Sequence, residues 1–294
     1  MKRRHFIGSL ASASAWAATS RLLAETKTGA TSGEGAFRFV QIADTQLGFT
    51  AWGDDLSHEI ANFERAVVHI NQLRPAFVII SGDLINMPVT ATKLAEFDRL
   101  RALIDPAIPV HVQPGNHDLG NTPSADSLAA YRARYGRDYF SFDVRGTHFI
   151  NLNSQIIFDP LALPEETKRQ WDWLVADLEK ARRIEPDHIV VFTHYPWFLE
   201  DAEEDPPGDP LDHKNRGYFM IPLKTRRAYL QLLTEHGVRA TFSGHYHGNV
   251  LGRSKGMEMV TSGPISKSVR EGTTEGYRVV DVTPMEITHR YLPL

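Results

Sequence analysis

The sequence predicts an α/β fold in which two mixed β-sheets pack face to face with helices on the outside, an α-β-β-α sandwich. Three observations predict it. Short apolar, β-branched runs alternate with helical periodicity from Phe37 to Tyr135, which argues for parallel strands joined by right-handed crossovers. Two strand-like runs then meet at Arg145-Gly146 as an antiparallel hairpin, and the tail from Lys255 to Leu294 repeats strand-like runs with Gly turns. Parallel and antiparallel stretches on this scale fit two mixed layers.

The elements follow in order. Phe39-Val40-Gln41-Ile42 reads as a strand, Ser57 to Leu73 as an amphipathic helix and Phe77 to Ser81 as a second strand. A helix is expected around Thr92 to Ile104, a strand over Pro109 to Gln113 and a helix over Ala125 to Tyr135. The hairpin pairs Tyr139 to Val144 with Thr147 to Asn153. Ile189 to Phe192 and Val238 to Phe242 are further strand runs, and Met257 to Thr261, Tyr277 to Val282 and Glu286 to Leu292 complete the set.

The domain these elements form spans residues 37–294. Residues 25–36 are rich in Thr, Gly, Ser and Glu and read as a flexible lead-in. Residues 1–24 carry no acid and place Arg3-Arg4 ahead of a short, weakly apolar Ala/Ser stretch. That pattern predicts a twin-arginine export signal, recognition by the twin-arginine machinery and a periplasmic address; an organellar transit peptide is the alternative. The stretch is too short and too polar for a stable membrane span, which needs about 20 apolar residues. A chain of 294 residues at 42% apolar content can bury a sizeable core. Its net charge of −4 shows no basic stripe, which excludes an extended nucleic acid as the expected partner. The absence of cysteine excludes disulfides and thiolate ligands.

Five polar motifs carry the chemistry: Asp44-Thr45-Gln46, Gly82-Asp83, Gly115-Asn116-His117-Asp118, Thr193-His194 and Gly244-His245-Tyr246-His247. Each follows a predicted strand, and ligands hung from neighbouring strand ends converge on one edge of a sheet. Each motif alone could be a turn or a satisfied core histidine; the ordered combination points to a metal site. Asp44, Gln46, Asp83, Asn116, His194, His245 and His247 offer carboxylate, amide and imidazole donors without sulfur. That set suits two divalent ions, Mn, Fe, Zn or Mg. Two ions roughly 3.5–4 Å apart need a bridging anion, and bound water then ionises near neutral pH.

In order and spacing these motifs resemble the calcineurin-like metallophosphoesterase superfamily. Asp44-Thr-Gln, Asn116-His-Asp-Leu-Gly-Asn-Thr-Pro, Asn151-Leu-Asn-Ser-Gln, Phe198-Leu-Glu and Ser243-Gly-His-Tyr-His are similar to a phosphatase subgroup of calcineurin-like phosphoesterase domain-containing proteins. The resemblance implies that Asp44, Gln46, Asp83 and His247 hold one metal and Asp83, Asn116, His194 and His245 the other, with Asp83 as bridge. It implies His117 as acid or phosphoryl stabiliser and Asp118 as the residue that orients His117. It also implies a metal-bound hydroxide attacking a phosphate monoester, on a phosphorylated small molecule or phosphoprotein. A diesterase of the same fold and a non-catalytic phosphate- or metal-binding protein are the alternatives. Two departures matter. Gln46 stands where the superfamily has His, and Asn86 stands where purple acid phosphatases have the tyrosine that colours them.

The segment 199–216 is acidic, then Pro-rich, and ends in His213, Lys214 and Arg216. Its place directly after His194 predicts a lid or substrate wall, with His213 and Arg216 as candidates for substrate phosphate. Asn153 is either an anchor beside the site or a strand-end turn. Tyr195, Trp197, Phe198, Tyr218 and Phe219 either line the pocket or pack the lid, and packing is the expectation.

Overall fold

The computed structural model describes residues 35–294. The export-signal reading of residues 1–24 and most of the lead-in lie outside the described residues. The first half of the chain runs β1 (Phe37–Ile42), α1 (Ser57–Leu73), β2 (Phe77–Ser81), α2 (Ala91–Arg101), β3 (Val110–Gln113), α3 (Asn116–Leu119) and α4 (Ala125–Tyr135). The hairpin β4 (Phe140–Val144) and β5 (Thr147–Asn151) leads into α5 (Ser154–Phe158), α6 (Pro164–Ile184) and β6 (His188–Phe192). After a long loop come a 3₁₀ turn at Arg216–Phe219, α7 (Leu223–Glu235), β7 (Ala240–Ser243), β8 (Val250–Ser254), β9 (Met257–Thr261), β10 (Gly276–Val282) and β11 (Ile287–Pro293).

These strands form two mixed sheets, ordered β11-β10-β1-β2-β3 and β4-β5-β6-β7-β9-β8. In the first, β1, β2 and β3 are parallel and β10 and β11 antiparallel. In the second, β5, β6, β7 and β9 are parallel and β4 and β8 antiparallel. The expected sandwich is the observed one.

Alternation along the strands decides what lies between the sheets. Phe37 and Phe39 of β1, Phe77 and Ile79 of β2, Phe149 of β5, Phe192 of β6 and Phe242 of β7 form the inter-sheet core. Val40, Ile42, Val78 and Ile80 face the other way and meet Phe63, Ala66 and Ile70 of α1 and Phe97 of α2. On the far side Ile150, Ile189 and Val191 pack against Leu174 and Leu178 of α6 and Leu230 and Leu233 of α7. Helix α6 is the longest of the described residues and was not anticipated. Its signals were present: Pro164 at its start, Glu165 and Glu166 in the first turn and Arg182 and Arg183 in the last. The expected helix at Thr92–Ile104 runs from Ala91 to Arg101, capped by the Thr90 side chain accepting from the Lys93 amide.

Candidate metal centre

Five parallel strands, β1, β2, β3, β6 and β7, end beneath one edge of the sandwich, and each delivers one polar motif there. The loops then turn back sharply. Asp44, Gln46, Asp83, His245 and His247 all adopt positive φ, between 39° and 64°. Non-glycine residues in this region are strained by about 1–3 kcal/mol each, and such strain clusters at functional sites.

Two glycines make room for the carboxylate at the centre. A Cβ on Gly115 would lie 2.1 Å from Asp83 Oδ1, and one on Gly82, itself at φ 84°, would lie 2.3 Å from His194 Nδ1. Below them Gln41 occupies the inward position that follows Phe37 and Phe39. Its amide donates to Ser81 Oγ and to the Ser243 carbonyl, both at 3.0 Å, and accepts from Ser262 Oγ at 2.7 Å. That one side chain ties together the ends of β1, β2 and β7.

Asp83 is 1% exposed. Its Oδ1 lies 3.3 Å from His194 Nε2 and accepts from the His117 amide at 2.9 Å; its Oδ2 lies 3.4 Å from Gln46 Nε2. His194 Nε2 is also 3.2 Å from Asn116 Oδ1, while its Nδ1 meets the Ser81 carbonyl at 2.8 Å. On the Gln46 side, Asp44 Oδ1 is 3.5 Å from His247 Nε2 and its carboxylate accepts from the His245 amide at 3.0 Å. One oxygen of Asp83 thus faces the Asn116–His194 group and the other faces Gln46. Asp83, His194 and His245 each present a ligand atom within 4.8 Å of the others.

The outer nitrogens of the histidines are taken by main-chain carbonyls: His247 Nδ1 by Lys267 at 2.8 Å and His245 Nε2 by Tyr218 at 3.0 Å. This is how metal-ligating histidines are oriented. The opposite nitrogen of His245, the Gln46 Oε1 and His117 Nδ1 are buried without a hydrogen-bond partner. Buried polar atoms are paired in the great majority of cases, so the orphans on His245 and Gln46, a nitrogen and an oxygen among the expected ligands, fit bound cations.

Charge follows the same geometry. Burial raises the Asp83 carboxyl, and His194 and His117 beside it outweigh that and hold it below the usual carboxylate range. Burial lowers the His194 imidazole, and Asp83 more than compensates, lifting it to about 9. Burial and the His194 charge push His245 well below its ordinary value. Burial likewise lowers His117, against the pull of Asp83, and favours its neutral ring.

All seven expected ligands meet at this edge. Asp118 takes a different part from the expected one. Its carboxylate accepts from the Leu84 amide at 3.1 Å and the Gly115 amide at 2.8 Å, so it braces the turn and does not touch the His117 ring. His117 and Asp118 are consecutive on α3, and consecutive helical residues do not face each other. Arg216 likewise turns away: it pairs with Glu200 at 2.8 Å and Glu204 at 3.0 Å within its own loop. His213 lines the cavity over the site. Asn153 caps α5 by accepting from the Gln155 amide at 3.1 Å and donates to Asp138 at 2.9 Å. The residue of that motif that touches the site is Ser154, whose Oγ accepts from the His194 and Tyr195 amides, both at 3.0 Å. Asn86 donates to the Gly48 carbonyl at 3.2 Å and anchors the loop after Gln46.

Tyr195, Trp197 and Phe198 are core residues, as expected. Tyr218 and Phe219 are not: both line the cavity. Tyr218 OH accepts from Asn116 Nδ2 at 3.0 Å, which leaves Asn116 Oδ1 on the His194 side. Arg270, which belongs to no motif, lines the cavity as well. That cavity measures about 400 Å³. A larger one of about 630 Å³, between α4 and α6, contains none of the motifs, and its Arg132 and Arg169 are paired with Asp138 and Glu166.

No helix among the described residues is long and apolar enough to cross a membrane. The family model for calcineurin-like phosphoesterases matches residues 37–249. The serine/threonine-protein phosphatase CPPED1 of Mus musculus is 37% identical over 276 residues, covering 89% of this chain and 85% of that protein. The Homo sapiens protein of the same name is 37% identical over 276 residues, covering 89% and 85%. The crystal structure of a dimetal phosphatase from Danio rerio shares the fold, with a TM-score of 0.61 at 14% identity, over 86% of this chain and 98% of that one. With the motifs gathered at one sheet edge and a relative aligned over most of both chains, this chain belongs to the calcineurin-like phosphoesterase family and is a metal-dependent phosphoesterase.

Proposed function

We propose that the chain hydrolyses phosphate monoesters at a dinuclear centre, with Asp44, Gln46, Asp83 and His247 around one ion and Asp83, Asn116, His194 and His245 around the other. The observation that carries this reading is the position of Asp83, whose two oxygens face two separate groups of donors. Two divalent ions, when bound, supply neutralisation of phosphoryl charge and an acidified water. The protein's own residues do the rest. Main-chain carbonyls fix the ring orientations of His194, His245 and His247, so the donor set is formed in advance. His117 is anchored through its amide to Asp83 and has its ring at the cavity. A neutral imidazole there donates one N–H to a phosphoryl oxygen and can pass that proton to the leaving oxygen.

The aligned phosphatases support a phosphate monoester as substrate, on a phosphorylated small molecule or a phosphoprotein. Gln46 replaces an imidazole by an amide oxygen, which favours Mn or Mg over Zn at the first position. The test is hydrolysis of an aryl phosphate monoester against the matching diester with Mn supplied and Asp83→Asn as control. Monoester turnover that vanishes in the variant supports the reading. Diester preference moves the assignment to a phosphodiesterase, and absence of both metal and turnover moves it to a binding protein. The export reading rests on Arg3 and Arg4; replacing both by Lys is expected to stop export, and unimpaired export sinks it.

A further inference from the structure

The cavity over the metal centre has a second polar feature that the hydrolytic step does not use. Arg270 sits in the corner formed by two aromatic rings of its wall, with its guanidinium carbon 4.4 Å from the Phe219 ring centre and 4.2 Å from that of Tyr246. Its Nε donates to the Tyr246 carbonyl at 3.0 Å, which sets the plane of the fork. No carboxylate of the described residues lies within ion-pair distance of it, whereas Arg216, the cation the sequence pointed to, is held by two glutamates. A guanidinium packed against aromatic rings and held at Nε keeps its remaining donors in a fixed geometry that matches an oxyanion bidentately.

Apart from the metal centre and the polar Asn121 and His213, the rest of the wall is apolar or aromatic. Phe49 and Trp52 stand 5.3 Å apart, Phe49 packs 4.8 Å from His247, and Met87 and Val269 complete the rim. Trp52 is 73% exposed and Val269 53%, side chains that a bound apolar group would cover.

We propose that Arg270 forms a second anion-binding subsite, and that this enzyme selects phosphate monoesters whose leaving group is flat and apolar and carries a second negative charge, a carboxylate or further phosphate. The inference rests on the phosphatase reading for the position of the first phosphate. Two observations favour a compact ligand over an acidic peptide. The cavity of about 400 Å³ is of small-molecule size. Beyond the glutamates that Arg216 and Arg227 hold, the loop beside it carries Asp201, Asp205, Asp209 and Asp212, which would repel an acidic chain running out of the cavity.

The test is calorimetric binding of phenylphosphonate and 4-carboxyphenylphosphonate to the metal-loaded protein, which reports on the subsite without turnover. The wild type is expected to bind the carboxylated compound about tenfold more tightly, the worth of one charge-assisted contact. In Arg270→Met the two compounds bind equally, and Arg270→Lys retains part of the preference. Equal binding by the wild type, or a preference that survives in Arg270→Met, overturns the proposal. Tighter binding of a diacidic phosphopeptide than of the carboxylated phosphonate overturns the small-molecule assignment. Phosphonate discrimination in a protein that hydrolyses no ester sustains the subsite and removes the phosphatase reading.

Discussion

Phe39 lies on β1 and Asp83 just beyond the end of the neighbouring β2, and both are almost wholly buried, yet they are held by opposite means. Phe39 stacks on Phe77 at 4.9 Å and meets Phe149, Phe192 and Phe242 edge-on, all on extended backbone. Every contact it makes is apolar and supplied by the chain. Asp83, at the carboxyl end of the next strand, stands on left-handed backbone among histidine and amide groups, near buried atoms that no protein group satisfies. The first region stabilises the fold; the second takes stability from it and is completed by a ligand. Burial therefore says nothing about role until it is asked what the buried atoms are paired with.

The comparison can be broken most sharply by exchanging the two outcomes. Asp83→Asn is expected to lower turnover at least on the order of 10²–10³-fold and to reduce bound metal, read by metal analysis and ester hydrolysis on the same sample. Phe39→Ala is expected to cost about 3–5 kcal/mol in denaturant unfolding while the fraction still folded keeps its full metal complement. If the phenylalanine variant loses metal before it unfolds, the two regions are not separable.

Gly115→Ala sharpens the comparison from the backbone side. The added methyl would lie 2.1 Å from Asp83 Oδ1, so metal affinity should fall about 10- to 100-fold in titration with Mn. A Gly136→Ala control meets nothing within 4 Å and should leave that affinity as it was, whatever its backbone strain costs in stability. Gln46→His should slow loss of the first metal to a mild chelator, roughly tenfold for Zn and less for Mn; equal retention by both proteins would dismiss the role given to the amide oxygen.

The smallest effect belongs to a third buried polar group, which the chain satisfies by itself. His148 bridges Asp143 at 2.6 Å and Asp177 at 2.9 Å, and belongs to none of the five metal motifs. Burial lowers its affinity for a proton, and the two carboxylates outweigh burial and raise it above 6.5. A folded-state value above the unfolded one gives stability that is fully present below about pH 6.5 and is lost as pH rises through the raised value. Unfolding measured across that window should show the loss in the wild type and a flatter profile in Asp177→Asn.

Much of this was legible in the sequence because it is periodic or motif-borne. Alternation places Phe37 and Phe39 inward, and the strands β1, β2, β6 and β7 were visible as apolar runs. Helix α6 was missed despite its terminal signals, because Trp171, Leu174, Leu178 and Ala181 are diluted by a strongly charged outer face. The resemblance implies that Asp118 orients His117, but consecutive residues of a helix point apart, and its carboxylate braces the turn instead. Arg216, a candidate for substrate phosphate, is held by two glutamates of its own segment, and no spacing rule pairs them in the sequence. Arg270 carries no motif signal, since it reaches the site through a loop whose path no local pattern encodes. Ser154 and Tyr218 stand in segments the sequence singles out, but nothing local says which residue of each segment touches the site.

By itself the sequence determined the layer architecture, the family and the chemical type of the donors, because hydrophobic period and residue identity are local properties. Only the tertiary structure decided which oxygen of Asp83 faces which group, which nitrogen of each histidine is left for a cation, and which arginine enters the cavity. Those depend on hydrogen bonds between segments up to two hundred residues apart, such as the His245 amide on Asp44, and such distances exist only once the two sheets have closed on each other.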